Sequence, residues 1–183
     1  PGYASAYLTY QCSINPLFAQ DDSDLVDGKD EVKVNAFNLI AFKYLDGSYE
    51  HLIDEESSVG ISALISLADD YDAFDLLRDY SITPYYRRYF SKGYAKGFFV
   101  EGFGMLNSSS TGNYLSYDET TQEDVYDTKK YTDFALGVSI GGKFVSKKGF
   151  VAEVYGGVGR NLFNTNNTVD VVGRGGVSLG FRF

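Results

Sequence analysis

Nine charged residues stand where the sequence alternates between polar and apolar side chains, and they are the first candidates for chemistry. They are Lys33, Glu50, Arg87, Glu101, Asp133, Lys143, Glu153, Arg174 and Arg182. A carboxylate pair such as Glu101 with Glu153 suits general acid and base catalysis, and a row of such groups suits a proton or ion relay. The spacing selects neither reaction, because the charges recur at strand period along many segments. We therefore expect paired charges with a structural role, since an unpaired buried ion is costly.

A catalytic triad or a transition-metal site would depend on His51 and Cys12, the only histidine and the only cysteine. A triad needs the histidine to face a nucleophile. His51 follows Glu50 directly, so in a strand it lies on the opposite face from that carboxylate. One histidine and one cysteine also support transition-metal ligation poorly. We expect no catalytic residue, no metal site and no cofactor.

Two acidic runs offer oxygen ligands to Ca²⁺, or a bridge through divalent ions to lipopolysaccharide phosphates. The runs are Asp69, Asp70, Asp72 and Asp75, and then Asp118, Glu119, Glu123, Asp124 and Asp127. Neither has the spacing of an EF-hand, with its fixed glycine and terminal glutamate. They are therefore expected to be solvated acidic loops.

The composition favours a sheet protein of one domain. The chain has 183 residues, 20 Gly, 16 Tyr and 14 Phe, and Tyr and Phe suit pleated sheet better than packed helices. A net charge of −9 argues against a nucleic-acid partner, because a phosphate backbone attracts a positive surface. No apolar run approaches the roughly 20 residues of a membrane-spanning helix.

Eight segments alternate with period two and predict eight strands. The clearest is Val171 to Phe183, where the odd positions are apolar or Gly and the even positions include Arg174 and Arg182. The predicted strands are residues 31–39, 42–53, 58–67, 80–90, 97–107, 131–144, 149–161 and 171–183. An even number of strands places both chain ends on the same side of a closed up-and-down barrel.

The predicted connections differ in length in a regular way. Those at Asp54–Ser57, Ser91–Lys96 and Val145–Lys148 are short, whereas those at Ala68–Asp79, Ser108–Lys130 and Leu162–Asp170 are longer. Outer-membrane barrels have short periplasmic turns and longer extracellular loops. Only the first connection, near Ile40–Ala41, departs from this alternation.

The direction of the two faces separates a membrane barrel from a soluble one. A soluble lipocalin-like barrel would hold the apolar residues inside, around a ligand, and leave the ions in water. Three features favour the inverse arrangement. The polar face mixes ions of both signs with Gly and Ser, as a narrow lumen requires; the apolar face is nearly uninterrupted; and aromatic residues lie towards strand ends, as in interfacial girdles. These aromatic residues include Tyr49, Tyr86, Phe90, Phe144, Phe181 and Phe183.

The first thirty residues are set apart from the barrel. Leu17 to Gln20, followed by an acidic stretch, is typical of the end of a secretory signal peptide with cleavage after Ala19. The domain prediction is therefore a leader or flexible acidic segment over residues 1–30 and an outer-membrane barrel domain over residues 31–183.

The last strand carries the most specific resemblance. Val177, Leu179, Phe181 and Phe183 resemble the C-terminal signal by which Gram-negative outer-membrane proteins are recognised for assembly. Five further segments resemble a family of small bacterial outer-membrane β-barrels of unknown function: residues 31–35, 49–50, 85–90, 97–102 and 174–176. The likeness runs from about residue 31 to the end. It implies an all-β, eight-stranded antiparallel up-and-down transmembrane barrel in the outer membrane, with both termini periplasmic, and no particular activity.

Three functions are weighed on this basis. The first is a barrel with a charge-filled lumen and a structural or surface-interaction role through its long loops, with lipid, lipopolysaccharide, the barrel-assembly machinery and an unidentified loop partner as its contacts. The second is an outer-membrane enzyme that modifies lipids, acting through His51 or an inward carboxylate. The third is a soluble barrel that binds an apolar ligand.

Overall fold

Eight antiparallel strands close into a barrel in simple sequence order, as the alternation predicts. The computed structural model describes residues 28–67, 78–91, 93–118, 123–163 and 171–183. The strands are β1 (Asp30–Asn35), β2 (Tyr44–Leu52), β3 (Ser57–Ser66), β4 (Tyr80–Tyr89), β5 (Gly97–Asp118), β6 (Glu123–Val145), β7 (Phe150–Asn161) and β8 (Val171–Arg182). The predicted leader and Cys12 lie outside the described residues, apart from the last positions of the segment 1–30.

The barrel closes where β1 pairs with β8. Glu31 is in register with Arg182, and Val34 with Leu179. The amide of Phe183 also donates to the carbonyl of Asp30 at 2.8 Å. The first and last strands of the barrel therefore begin and end at the same rim.

The connection between β1 and β2 is a helix, α1 (Ala36–Phe42), and not the tight turn near Ile40–Ala41 that we expected. β1 ends at Asn35, because the side-chain oxygen of Asn35 accepts a hydrogen bond from the backbone amide of Asn38 at 3.1 Å and so caps the helix. Lys43 ends the helix in the left-handed region, with φ 54°. The predicted strand 31–39 is thus too long by its last four positions.

The predicted loop Ser108–Lys130 is also wrong in its structure. Strands β5 and β6 stay paired as far as Asp118 and Glu123, with one register shift between Tyr114 and Ser116. Pairing of β5 with β4 stops at Ser108, so beyond that point the two strands form a ribbon that pairs only with itself. We call residues 109–118 and 123–131 the β5–β6 ribbon.

The connections divide between two ends of the barrel. The lower end carries the connections β2–β3, β4–β5 and β6–β7 together with the β1–β8 rim, and α1 lies at the upper end, where β3, β5 and β7 end and β4, β6 and β8 begin. Since α1 lies at the upper end, the first connection follows the alternation of long and short that it was expected to break. Asp69, Asp70, Asp72, Asp75 and Glu119 lie outside the described residues, and the side chains of Asp118, Glu123, Asp124 and Asp127 are not described.

The two faces of the sheet have opposite character. Leu136, Val138 and Leu179 are 51%, 60% and 42% exposed on the outside, whereas the side chain of Arg87 is inside and 1% exposed. This is the reverse of a soluble ligand-binding barrel. Among the described residues, no helix has the length and apolar character needed to cross a bilayer.

Glycine allows two close approaches on the inner face. A Cβ on Gly180 of β8 would overlap the carbonyl oxygen of Val32 in β1, so glycine brings these strands together at the seam. A Cβ on Gly60 of β3 would overlap the ring of Tyr85, which lies across it. Glycine thus makes room for a large side chain within the narrow barrel.

Candidate functional site

The nine charged residues singled out from the sequence all lie on the inner face of the barrel. Eight of them are buried outright, and the side chain of the ninth, Arg174, is 6% exposed. They come from seven different strands: Lys33 from β1, Glu50 from β2, Arg87 from β4, Glu101 from β5, Asp133 and Lys143 from β6, Glu153 from β7, and Arg174 and Arg182 from β8. Strand alternation therefore brings them together from positions far apart in the sequence.

Glu50 contacts more partners than any other carboxylate described here. Its oxygens accept hydrogen bonds from Arg87 and Lys143 at 2.8 Å each and form an ion pair with Lys33. The hydroxyls of Ser58 and Tyr89 donate to its Oε1 at 2.6 and 2.5 Å. A fully buried carboxylate is thereby surrounded by donors, which offsets the loss of its hydration.

Arg87 links this centre to the opposite wall. Its Nη1 donates to Glu153 Oε2 at 2.8 Å, and its Nε to Glu101 Oε2 at 2.6 Å. The guanidinium also lies 4.6 Å from the centre of the Tyr85 ring and 4.3 Å from that of Phe99. Aromatic faces on either side hold the group in place through cation–π attraction.

Glu101 joins two arginines. Its Oε1 accepts from Arg174 Nη1 at 2.6 Å, while its Oε2 accepts from Arg87. Arg174 Nη2 donates in addition to the hydroxyl of Ser62 at 3.2 Å. One carboxylate therefore neutralises parts of two guanidinium groups.

Glu31 belongs to the same cluster, although the sequence reasoning did not single it out. It accepts from Lys143 at 2.8 Å and from Arg182 at 2.7 Å, and lies 3.3 Å from Lys33 Nζ. Its place could have been found, because it stands two residues before Lys33 and so shares that residue's face. We call Glu31, Lys33, Glu50, Arg87, Glu101, Lys143, Glu153, Arg174 and Arg182 the ionic cluster.

The lower end of the cluster is covered by the connection between β4 and β5. Arg182 donates to the carbonyls of Tyr94 and Ala95 at 3.0 and 2.9 Å. Ala95 is fully buried and its amide donates to the carbonyl of Glu55 in the neighbouring connection at 2.8 Å. The predicted turn at Ser91–Lys96 thus folds across the mouth of the barrel.

Asp133 is buried on the inner face but is not part of the ionic cluster. Its Oδ1 accepts the amide of Phe134 at 3.1 Å. Its Oδ2 has no hydrogen-bond partner within the described part of the chain. Among the described residues, the ion pairing expected for all nine does not extend to Asp133.

His51 lies on the outer face near the lower rim. Its Nδ1 is 2.8 Å from Asp30 Oδ1, and its side chain is 48% exposed. Tyr49, two positions earlier, donates to the same carboxylate oxygen at 2.5 Å. The histidine therefore contacts the rim and faces away from the inner carboxylates.

The residues of the expected assembly signal share the outer face of β8. Val177, Leu179, Phe181 and Phe183 are all exposed. Phe181 packs edge to face against Phe150 of β7, with 5.7 Å between ring centres. The second half of the strand therefore presents an apolar stripe on the outer face.

The ionic cluster is built from ion pairs between carboxylates and cationic groups. Each of its carboxylates is shared by two or more cationic groups, among them Lys33 with Glu153 at 2.9 Å. In the ranges that the structure describes, no group of three or more His, Cys, Asp and Glu side chains is placed to hold a metal ion.

Comparison with known proteins finds similarity to a solved structure and matches no family. No protein-family model matches the chain, and no curated protein matches it. Among solved structures, the chain is similar to the crystal structure of the N-terminal β-barrel domain of OprF from Pseudomonas aeruginosa. The likeness covers 84% of this chain and 96% of that chain, with a TM-score of 0.48 and 13% sequence identity.

Proposed function

We propose that the chain is a barrel that spans a bacterial outer membrane, with lipid against its outer face. The observation that carries this proposal is the inverted placement of side chains. Val154 and Val158 are 60% and 62% exposed on the outside, whereas Lys33 and Glu50 are buried within the closed sheet. In water such an apolar exterior would be a large aggregating surface. In a bilayer the same apolar surface would contact the hydrocarbon chains of the lipids. A closed barrel also leaves no strand edge unpaired in lipid.

Aromatic side chains at the lower end support this placement. Tyr49, Tyr86, Phe90, Phe98, Phe144, Phe150, Phe181 and Phe183 are all exposed and stand near that rim. Phe90 and Phe98 lie with ring centres 6.1 Å apart. Rings of this kind form the girdle at the boundary between hydrocarbon and headgroups.

The proposed orientation places the lower end of the barrel in the periplasm, together with the start of β1 and the end of β8. The lower connections are short, and the upper ones are longer or extended into the ribbon. Short periplasmic turns and longer extracellular connections are general in such barrels. Under this orientation the outer face of β8 would be recognised by the barrel-assembly machinery, and the upper end would meet lipopolysaccharide.

The role we propose for the ionic cluster is structural and not catalytic. An eight-stranded barrel has room for side chains and no open channel. The cluster fills the lower lumen with paired charges, so that the proposed barrel would neither conduct ions nor hydrolyse a substrate there. If His51→Ala and Glu101→Gln variants leave the lipid profile of expressing cells unchanged, the non-enzymatic role is supported; loss of a modified lipid in either would overturn it.

The upper end is proposed to carry surface recognition, chiefly through the β5–β6 ribbon. The ribbon projects as two strands beyond the point where β4 stops pairing. Its acidic residues are proposed to stay solvated, and a bridge through divalent ions to lipopolysaccharide phosphates is the alternative. Replacing the ribbon by a short turn tests this: retained folding with loss of cell or ligand attachment supports recognition, whereas unchanged attachment leaves scaffolding alone.

Cell fractionation followed by electrophoresis tests the location itself. Expressing cells are separated into soluble, inner-membrane and outer-membrane fractions, and each is run in detergent with and without heating. A closed barrel in the outer membrane gives a band in that fraction whose migration changes on heating. A band in the soluble fraction that migrates identically in both samples would refute the proposal.

A further inference from the structure

The upper half of the barrel contains a cavity of about 430 Å³ between the ionic cluster and α1. Arg174 and Ser62 lie on the cluster side of it, and Phe37 and Phe42 of α1 lie on the other. Small-molecule sites in proteins commonly have volumes of about 300–1,000 Å³. The cavity is therefore large enough for a small organic molecule.

Hydrogen bonds hold α1 over this cavity. Asp46 of β2 accepts from Asn38 in α1 at 2.8 Å and from Asn35 at 3.0 Å. Asn35 also donates to the carbonyl of Gly175 in β8 at 3.1 Å. The helix is thus fastened to strands on both sides of the seam, and Asp46 is occupied in fastening it.

Two inward-facing glycines, Gly157 of β7 and Gly176 of β8, keep the wall next to α1 free of side chains. Gly157, Gly173, Gly175 and Gly176 all border the cavity. Gly176 has φ 148°, which side chains rarely tolerate, and a Cβ there would overlap the carboxamide of Asn35. The space is therefore built into the backbone of these strands.

The ionic cluster at the floor of the cavity has one cation more than it has carboxylates. The ionic cluster contains four carboxylates and five cationic groups. Arg174 and Arg87 share one carboxylate, that of Glu101. On the wall, Arg78 donates to the carbonyl of Gly173 at 3.2 Å, and the carboxylate of Asp46 lies near both Arg174 and Arg78. Arg174 is the cation of the ionic cluster that borders the cavity, and since it shares the carboxylate of Glu101 with Arg87, an added anion would complete its pairing.

We propose that this cavity binds a small organic acid, with its carboxylate on Arg174 and its apolar body beneath α1. A guanidinium presents paired N–H donors that match the two oxygens of a carboxylate. Hydroxyls of Ser62, Ser81 and Thr83 border the same space and supply further donors, while Leu64 and Met105 offer apolar contact. The proposal concerns the lumen, so it does not rest on where the barrel is located.

Binding of benzoate to the folded full chain in a nonionic detergent tests this inference, with benzamide as a neutral molecule of nearly the same shape. Benzoate should bind saturably below about 10 mM, and benzamide at least about tenfold more weakly, because it lacks the charge. Equal binding of the two, or no saturable binding of benzoate, would overturn the proposal. So would inorganic phosphate binding as well as benzoate, because phosphate has no apolar body for the space under α1.

Two variants of β4 locate the binding. Thr83→Phe fills the cavity without removing a charge and should weaken benzoate binding at least about tenfold. Ile82→Phe places the same ring on the outer face and should leave binding unchanged. Heat-dependent migration confirms folding of each variant, and Ser81→Leu replaces Thr83→Phe if the latter does not fold. Binding that survives a filled cavity, or that Ile82→Phe abolishes, would contradict the proposed site.

Discussion

The ammonium of Lys143 and the carboxylate of Glu31 lie 2.8 Å apart inside the barrel, although 112 residues separate them in the sequence. Lys143 comes from β6 and Glu31 from β1, and these strands are not hydrogen-bonded neighbours. The ion pair therefore spans the lumen, in addition to the ladders that join adjacent strands. Cross-lumen contacts of this kind fix the shape of the barrel, because each strand is tied to more than its two neighbours.

Glu50→Gln should be strongly destabilising. The change keeps the size of the side chain but leaves Lys33, Arg87 and Lys143 with one carboxylate fewer. Removing one partner from a buried ion pair typically costs about 3–5 kcal/mol. The free energy of unfolding by urea in detergent measures this cost. Glu55→Gln in the exposed lower connection is the control and should change it little; a Glu50→Gln variant as stable as the parent would show that the cluster does not stabilise the fold.

Ile140→Arg should destabilise the barrel in lipid by about 2–4 kcal/mol if this outer-face residue stands near the middle of the bilayer. Ile53→Arg is the matched control, because Ile53 has a similar exposure but belongs to a lower connection outside the strands. Its cost near the boundary should be about 0–1 kcal/mol. Unfolding of both variants in lipid vesicles compares the two positions, and equal small costs would mean that the outer face does not lie in hydrocarbon.

Gly180→Ala should weaken the seam between β1 and β8. The added methyl group would overlap the backbone carbonyl of Val32, so the strands must separate, at about 1–3 kcal/mol as for other overpacked sites. Gly173→Ala, on the same strand, meets no atom within 4 Å and should be neutral or slightly stabilising. The temperature at which the folded band is lost in electrophoresis ranks the two variants, and the same temperature for both would argue against a tight seam.

The lower end should lose stability in acid, because Asp54 stabilises it only while its carboxyl group is ionised. Hydrogen bonds from the Ser57 hydroxyl at 2.7 Å and the Glu56 amide at 2.8 Å lower the pKa of this carboxyl. Its contribution is therefore fully present above the ordinary pKa of about 4 and is lost as the pH falls through the lower folded value. Asp54→Asn should be less stable than the parent near neutral pH, and the difference should shrink as the pH falls through the lowered folded pKa. Ser57→Ala should reduce the pH-dependent difference, and a constant difference at every pH would contradict this account.

Removal of the β5–β6 ribbon should leave the barrel folded. Ser108 and Thr132 are in register, so a short turn can join them. Pairing of β4 with β5 ends at Ser108, and pairing of β6 with β7 begins at Ala135, so no ladder of the barrel uses the ribbon. The shortened chain should keep its heat-dependent migration; failure to fold would show that the ribbon is needed for assembly.

The barrel itself could be predicted from the sequence because strand alternation is a local property. In β8, Arg174 and Arg182 stand on one face and Leu179 and Phe181 on the other, and this difference requires no knowledge of the neighbouring strands. The same alternation places Glu31 on the face of Lys33, two residues away, and so predicts that Glu31 also points into the barrel. The position of a charged residue on a face is therefore within reach of sequence reasoning.

The features that the sequence pattern predicts wrongly depend on contacts between distant residues. After β1 the sequence stays apolar at Phe37, Leu39 and Ile40, so the pattern alone extends the strand. The strand ends at Asn35 because the side chain of Asn35 caps α1 and donates a hydrogen bond to Asp46 of β2. The ribbon is rich in Ser, Thr, Asn and Asp, which usually indicate a loop, yet its two strands pair along their length. Which carboxylate meets which cation follows from strand stagger and closure, and no spacing in the sequence encodes these.

The position of Glu31 and Arg182 on the first and last strands has a consequence for biogenesis. Glu31 is synthesised long before Arg182, so this ion pair can form only after β8 has been made. A polypeptide that lacks β8 would leave Glu31 with Lys33 and Lys143 alone as its cationic partners, and would leave one edge of β1 unpaired. The strand that closes the sheet therefore also completes the ion pairing of Glu31.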